Sequence, residues 1–447
     1  MLRIVKDLLR NVLKTPLSKV IGLLVPDFGR FSRIKNVFLN GYECSQGVEE
    51  VSSYPTHVRI APVSVCNYRC LFCEIHKDNK LYPKRAKNEL TMERVREWRT
   101  FLSRAYALSF FGGSEEPLLC KDFGEICREL KRNGTRLMVN TNASLLTPEL
   151  SDVLVDIGFD EILVSYHAGT DKNYKFLMTG NKNRVDANLS YLKDLKAKTG
   201  SKLPVVNFNY ALHKLNANDH EKIAVSAREL GVSAVIVNKY YGGRNALDCY
   251  DVAYDKEPDV GNRVLDEIYT FAKGVSVRLA PAAPDYWKES QLIEGDGLEC
   301  VCDAPWKSMH FNPVLDAADC HYVGVCNRIE LFKIDYSKIN LGDDVVFSKI
   351  WNSSVLKYLR RTVNAGGAIN SICRFCKNPN RAYWRNVDPA KYAAMRDDAV
   401  KKFFEEVRAV MGEVASVDGV IVLNCNPNAD ILLNVDRNDT VSGNDAD

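Results

Sequence analysis

Between residues 57 and 240, short apolar runs alternate with stretches of helical spacing, and this alternation restricts the fold more than any other feature. The runs are Val58 to Val65, Ala107 to Phe111, Arg136 to Asn140, Glu161 to Tyr166, Pro204 to Ala211 and Ala234 to Lys239. Thr91 can cap a helix that runs to about Arg104, with Glu93 in its first turn. Asp122 starts the next helix, and Gly134 stops it. Thr147-Pro148-Glu149 opens another, with proline at the first helical position, and Gly158 closes it. Helical patterns at 183–198 and 219–230 separate the last three runs, and Val275 to Ala280 reads as one further strand. Strands interleaved with helices imply βαβ units, a parallel sheet and right-handed crossovers. In such a fold, function gathers where the strands end.

The first run leads into Cys66-Asn67-Tyr68-Arg69-Cys70-Leu71-Phe72-Cys73. Three thiols spaced C-x3-C-x2-C on one loop strain any disulfide between them, but they can converge on one metal centre. A four-iron four-sulfur cluster normally takes four cysteines, so three leave one iron open to a further ligand. A zinc site built from the same thiolates is the alternative.

This loop, with Phe72 directly before the third cysteine, resembles the cluster loop of the radical S-adenosylmethionine (radical SAM) superfamily. The resemblance implies an α/β fold with a partial (β/α)6 TIM-like barrel. It implies a 4Fe-4S cluster on Cys66, Cys70 and Cys73 whose open iron is chelated by S-adenosylmethionine. One electron then cleaves the cofactor to a 5'-deoxyadenosyl radical that abstracts hydrogen from substrate. A reducing partner such as flavodoxin or ferredoxin is implied as well.

Further motifs fall after successive strands, as that fold requires. Phe111-Gly112-Gly113-Ser114-Glu115-Glu116-Pro117 resembles the family's Gly-Gly-Glu-Pro segment, which receives the amino group of S-adenosylmethionine. Two extra residues, Ser114-Glu115, leave open which glutamate faces the ligand. Asn140 and Ser165 stand where the family places polar cofactor contacts. Asn207 and Asn209 share one face of their strand and must find partners in a cofactor, neighbouring strands or water. Candidate catalytic groups are His167, Tyr166, Lys239, Tyr240 and Arg244; His213 is a second possible proton donor. A lone histidine is more often structural, and residues 239–244 read equally as a solvated edge.

Past about residue 290 a second cysteine group begins. Cys302, Cys320 and the pair Cys373 and Cys376 supply four thiolates, enough to complete a cluster with no open iron. With Cys302-Asp303-Ala304-Pro305-Trp306, Phe347 to Ser353 and Leu359-Arg360-Arg361, this region resembles the SPASM and twitch auxiliary-cluster domains. The shorter twitch-like form, with one auxiliary 4Fe-4S cluster, is the better match. Cys300 and Cys326 are left over, with Cys326 able to replace a neighbour, and a four-cysteine zinc site is again the alternative.

The reading divides the chain into a basic amphipathic helical extension (1–54), the partial barrel (55–285), an auxiliary-cluster region (286–390), and a C-terminal helix, possible hairpin and disordered tail (391–447). Residues 1–25 either dock on the protein's own body or touch an anionic membrane surface weakly. The net charge of +3 gives no reason to expect a nucleic-acid partner. Nine of the fourteen cysteines are clustered and, with no secretory signal visible, point to metal sites in a reducing cytoplasm rather than disulfides. Cys44, Cys120, Cys127, Cys249 and Cys425 are scattered and read as small buried hydrophobes. A small-molecule substrate is expected, such as a sugar, aminocyclitol or nucleotide-linked intermediate undergoing oxidation, dehydration or epimerisation. Peptide or protein modification is the second reading, and a non-catalytic zinc or Fe-S scaffold the third.

Overall fold

The computed structural model describes residues 29–73, 87–111, 115–240, 252–254, 257–287, 302–313, 320–326, 329–335, 339–363, 371–374, 401–403, 405–406, 409 and 420–422. The residues of 1–25, 112–114, 241–251, 288–301 and 375–400 lie outside that set, and with them Gly112, Gly113, Ser114, Arg244, Cys300 and Cys376.

Six βα units form as the alternation requires. The strands are β1 (His57–Ile60), β2 (Ala107–Phe110), β3 (Arg136–Thr141), β4 (Glu161–Ser165), β5 (Val205–Leu212) and β6 (Ala234–Lys239). β7 (Leu279–Ala280) extends them, and all neighbours in this series pair in parallel. The sheet is open and does not close into a barrel. At its other side β8 (Ser308–Pro313) lies parallel to β1, and β9 (Cys320–Cys326), β10 (Ile329–Asp335) and β11 (Val420–Val422) follow antiparallel. The full order is β11-β10-β9-β8-β1-β2-β3-β4-β5-β6-β7. Strands from beyond residue 300 thus continue the sheet that β1 begins. Val420–Val422 pairs with β10, and the second arm of the possible hairpin, 431–435, lies outside the described residues.

Period-two alternation gives the two faces of the sheet opposite characters. Ile60, Phe110, Val139, Val164, Phe208 and Val237 are buried on one face. Phe110 meets Phe123 of the helix Phe123–Arg132 at 4.9 Å between ring centres on that side. The other face carries Arg59, Ser109, Asn140, Glu161, Ser165, Asn207, Asn209 and Asn238. A parallel sheet packed dry on both faces would read as continuous apolar runs. This one keeps a polar face.

The helix expected from Thr91 to Arg104 is two helices, Met92–Glu97 and Arg99–Arg104, with the break at Trp98. Trp98 is fully buried and stacks over Phe311 of β8 at 5.4 Å, so packing overrides the local pattern there. Thr91 does cap, accepting the N–H of Arg94. Within the helical extension the described helix is Gly29–Ser45, and the helices Asp171–Met178 and Pro258–Gly274 were not anticipated.

Residues 29–54 pack onto the region beyond residue 300. Asn40 Nδ2 donates to the Trp306 carbonyl at 2.6 Å, and Trp306 Nε1 donates to the Val48 carbonyl at 2.7 Å. The buried Arg360 side chain donates to the carbonyls of Pro305 and Glu49 at 3.0 and 2.9 Å. Asn352 pairs with Val51 like an extra strand residue, accepting its N–H at 2.8 Å and donating to its carbonyl at 2.9 Å. No helix among the described residues is long and apolar enough to cross a membrane. Asn352→Ala strands both backbone groups of Val51 and is expected to lower stability by about 1–3 kcal/mol in denaturant unfolding; an unchanged midpoint would mean that water replaces the amide without loss.

Candidate active site

The cysteine loop follows β1, and its backbone is held from three sides. The N–H of Glu116, beyond β2, donates to the Val65 carbonyl at 3.0 Å. Asn67 donates to Ser144 Oγ and accepts from Asn142 Nδ2, both at 2.9 Å, so the turn after β3 grips it. Beyond β4, the N–H of Arg69 donates to Thr179 Oγ1 at 2.8 Å and that of Leu71 to the Leu177 carbonyl at 2.9 Å. Tyr68 lies across Gly180, where a Cβ would stand 2.3 Å from the ring. Only glycine permits that approach.

Burial pushes the Cys66 thiol up to about 12 and Cys70 well above its usual value, and the neighbouring cysteines add to both rises. Thiols that resist ionisation alone suit a positively charged metal centre, which deprotonates its ligands on binding. Among the described residues, no three His, Cys, Asp or Glu side chains are already gathered tightly enough to chelate a single ion. A four-iron cluster is broader than one ion and does not need its ligands gathered so tightly.

Glu116 is fully buried. Its carboxylate accepts from Thr141 Oγ1 at 2.5 Å, the N–H of Asn142 at 2.7 Å and the N–H of Leu118 at 3.2 Å. Burial raises its carboxyl to about 7 against those donors, which favour the charged form. Glu116 therefore ties the turns after β2 and β3 together beside the cysteine loop. Glu115 sits near Arg59, whose pKa burial lowers and the Glu115 charge raises.

On the polar face, neighbouring strands supply many of the partners. Ser165 donates to Asn140 at 3.3 Å, Asn207 to Glu161 at 2.9 Å, and Asn238 to Asn209 at 2.6 Å. Asn207 Oδ1 is buried with no partner among the described residues. At the β1–β8 seam Arg59 stands in register with His310, whose pKa is lowered to about 3 by burial and then by Arg59.

The candidate catalytic residues separate by face. Tyr166 follows Ser165 and so turns to the helix side; its hydroxyl donates to Asp186 at 2.8 Å, and its ring stacks on Phe208 at 4.2 Å. Lys239 pairs with Asp285 at 2.6 Å and donates to the Tyr286 carbonyl at 3.2 Å, holding the segment after β7. Phe72 meets His167 edge-on at 4.8 Å and His213 at 6.2 Å, and Tyr240 meets His213 at 5.7 Å. Arg244 lies outside the described residues. Burial holds His167 near 3 and His213 near 4, so both are neutral at pH 7. Asn216 joins them: it donates to the His167 carbonyl and accepts the His213 N–H, each at 2.8 Å. His213, named from the sequence as a possible proton donor, is thus brought beside His167; for Asn67 and Asn216 no sequence pattern served.

The second cysteine group is only partly assembled. Cys302 precedes the helix Ala304–Lys307 that feeds β8, so it stands at the starting end of β8. Cys320 opens β9 and pairs with Asp335, whereas Cys326 closes it and pairs with Ile329. Because β9 runs antiparallel to β8, Cys326 arrives at the end where Cys302 lies, and Cys320 starts about 20 Å away along the strand. Cys44 also lies near Cys302; burial raises its thiol to about 11, and Cys302 adds to that rise. Cys373 is buried in the short helix Ser371–Arg374, and Cys376 lies outside the described residues.

A sequence model described as Radical SAM superfamily matches residues 60–226. A probable GTP 3',8-cyclase of Saccharolobus islandicus is 30% identical over 277 residues, 61% of this chain and 79% of that protein. The probable GTP 3',8-cyclase of Thermococcus kodakarensis is 35% identical over 122 residues, 27% of this chain and 38% of that protein. Among solved structures, Streptococcus suis SuiB bound to S-adenosylmethionine is similar at TM-score 0.49 and 15% identity, over 79% of this chain and 82% of that one.

Gly180→Ala drives a Cβ into the Tyr68 ring and is expected to lower both the melting temperature and the iron taken up on anaerobic reconstitution. Gly274→Ala, with nothing within 4 Å of the added carbon, should leave both unchanged. Equal iron uptake by the two variants would show that the Tyr68 contact does not hold the cysteine loop.

Proposed function

This chain belongs to the radical SAM superfamily, and we propose that it acts on a nucleotide or nucleotide-linked small molecule held against the polar face of its sheet. Superfamily members are enzymes that use a 4Fe-4S cluster and S-adenosylmethionine. When bound, the reduced cluster supplies the electron that cleaves S-adenosylmethionine to methionine and the hydrogen-abstracting 5'-deoxyadenosyl radical. Cys66, Cys70 and Cys73 would hold the cluster, with Glu115 available to the methionine end of the cofactor.

The observation that carries the substrate class is the amide-rich polar face. Asn140, Asn207, Asn209 and Asn238, with Glu161, offer fixed donors and acceptors to a ligand dense in hydroxyls and ring nitrogens. Arg59, half-buried on β1 beside β8, adds a positive charge suited to an anionic group such as a phosphate. The relatives described as probable GTP 3',8-cyclases, whose name specifies a nucleotide, agree with this reading. These residues orient the substrate; proton transfer at the two neutral histidines would pass through His167, whose Nδ1 accepts the Ala211 N–H at 3.0 Å and so leaves the proton on Nε2.

The region beyond residue 300 we read as a second, auxiliary cluster site drawing on Cys302, Cys373 and Cys376. Its remaining ligand is either Cys320, after a shift of β9, or Cys326.

Anaerobically reconstituted protein, reduced with dithionite, is expected to form 5'-deoxyadenosine faster with a nucleotide such as GTP than with sugars or peptides. Cys70→Ala should abolish that formation. Stimulation by peptides alone would sink the substrate assignment, and no 5'-deoxyadenosine from the wild-type protein under any of these conditions would sink the enzymatic reading.

A further inference from the structure

The helix Gly29–Ser45 is turned inside out. Ser32, Asn36, Asn40 and Glu43 recur at helical spacing, share one face and are all buried. That face is bonded to the body. Asn36 accepts the Tyr54 N–H at 2.7 Å and donates to the Tyr54 and Arg104 carbonyls, each at 3.1 Å. Glu43 accepts the N–H groups of Ser52 and Ser53 at 2.7 and 3.1 Å. The opposite face carries Ile34, 44% exposed, and Val37, 37% exposed. A helix docked on a globular body normally does the reverse, burying an apolar stripe and exposing a polar one. Hydrogen bonds hold this helix in place, which leaves its outward aliphatic side chains for another contact.

The helix lies across the starting ends of the strands. It grips Tyr54 and Arg104, which precede β1 and β2. Its Arg33 donates at 2.7 Å to the carbonyl of Asn133, which precedes β3. Tyr106, just before β2, is 47% exposed at the same end. The cysteine loop follows β1 and so stands at the other end of the sheet. A contact made through Ile34 and Val37 leaves it uncovered.

Charge says what kind of surface fits. Residues 1–45 contain eight Lys and Arg against three Asp and Glu, so this stretch holds a larger positive charge than the +3 of the whole chain. One of the three acids, Glu43, is turned inward. Lys35 stands next to Ile34, and upstream Val5, Leu8, Leu9, Val12 and Leu13 repeat at helical spacing among Arg3, Lys6, Arg10 and Lys14. Cationic side chains around aliphatic ones suit an anionic bilayer surface, which takes the apolar groups below its headgroups and attracts the charges. A nucleic acid would pair the cations and leave the aliphatic groups in water. A second copy would bring the same positive charge against itself.

We propose that the outward face of the helix Gly29–Ser45, led by Ile34 and Val37 and preceded by a basic, aliphatic stretch of sequence, is a peripheral docking surface for a membrane containing anionic phospholipid. The protein then stands on the bilayer by the starting ends of its strands, with the cysteine loop directed away from it. This surface is independent of the nucleotide reading of the site.

The test is co-sedimentation of the full chain with vesicles of phosphatidylcholine and phosphatidylglycerol in equal parts, compared with vesicles of phosphatidylcholine alone. Wild type should bind the mixed vesicles about tenfold more tightly than the neutral ones, and less tightly as salt rises. The double variant Ile34→Ser, Val37→Ser should bind the mixed vesicles about tenfold more weakly than wild type. Its melting temperature without vesicles should be unchanged, because both side chains stand outward. Lys35→Glu should weaken binding at low salt and make no difference at high salt. Unchanged vesicle binding by the double variant would overturn the proposal. So would a drop in its melting temperature, which would show that residues 1–28 or a second copy already cover the two side chains. Equal binding of wild type to both kinds of vesicle, or binding to duplex DNA but to neither, would overturn it as well.

Discussion

A loop of three half-buried thiols is an unstable arrangement unless it is tied down from outside. Here the turns after three other strands supply those ties. Glu116 N–H, Ser144, Asn142, Thr179 and the Leu177 carbonyl all bind the segment from Val65 to Leu71. The cysteines are therefore placed by the strand ends rather than by their own loop. Glu116 is central because it serves twice: its backbone binds the cysteine loop, and its buried carboxylate fastens the turns after β2 and β3. The same dependence explains why the motifs fall after successive strands.

The polar face of the sheet follows from the same geometry. With residues alternating between faces, one set packs under helices and the other meets a ligand. Neighbouring strands already partner Asn207, Asn209 and Asn140, which makes them a fixed surface rather than a set of loose side chains. Asn207 Oδ1 and the ring of His213 are the places on β5 where that accounting is incomplete.

Much of this was legible in the sequence, and the exceptions have physical causes. β6 has the bounds that its apolar run suggested, and Thr147 and Thr91 cap the helices they were expected to cap. Local chemistry sets such features. Trp98 breaks a helix because its ring is drawn into the core against Phe311, a residue more than 200 positions away, and no local pattern carries that information. Tyr166 and His167 looked equally placed for chemistry, but one residue of alternation sends Tyr166 to Asp186 on the helix side and His167 toward Phe72. The resemblance grouped Cys302 with Cys320 and left Cys326 as a possible replacement. The antiparallel register carries Cys326 to the end of β9 that lies near Cys302, a relation that only the pairing of β8 with β9 reveals.

The account stands on an iron of the first cluster that has no cysteine and binds S-adenosylmethionine directly. Electron paramagnetic resonance of the anaerobically reconstituted, dithionite-reduced protein tests this most directly, with a Cys376→Ala, Cys302→Ala background to remove the signal of the second site. Addition of S-adenosylmethionine should shift the g values of the remaining 4Fe-4S signal, and methyl-13C or amino-15N label should produce hyperfine coupling to it. A spectrum that S-adenosylmethionine leaves unchanged, with no coupling from either label, would contradict the account.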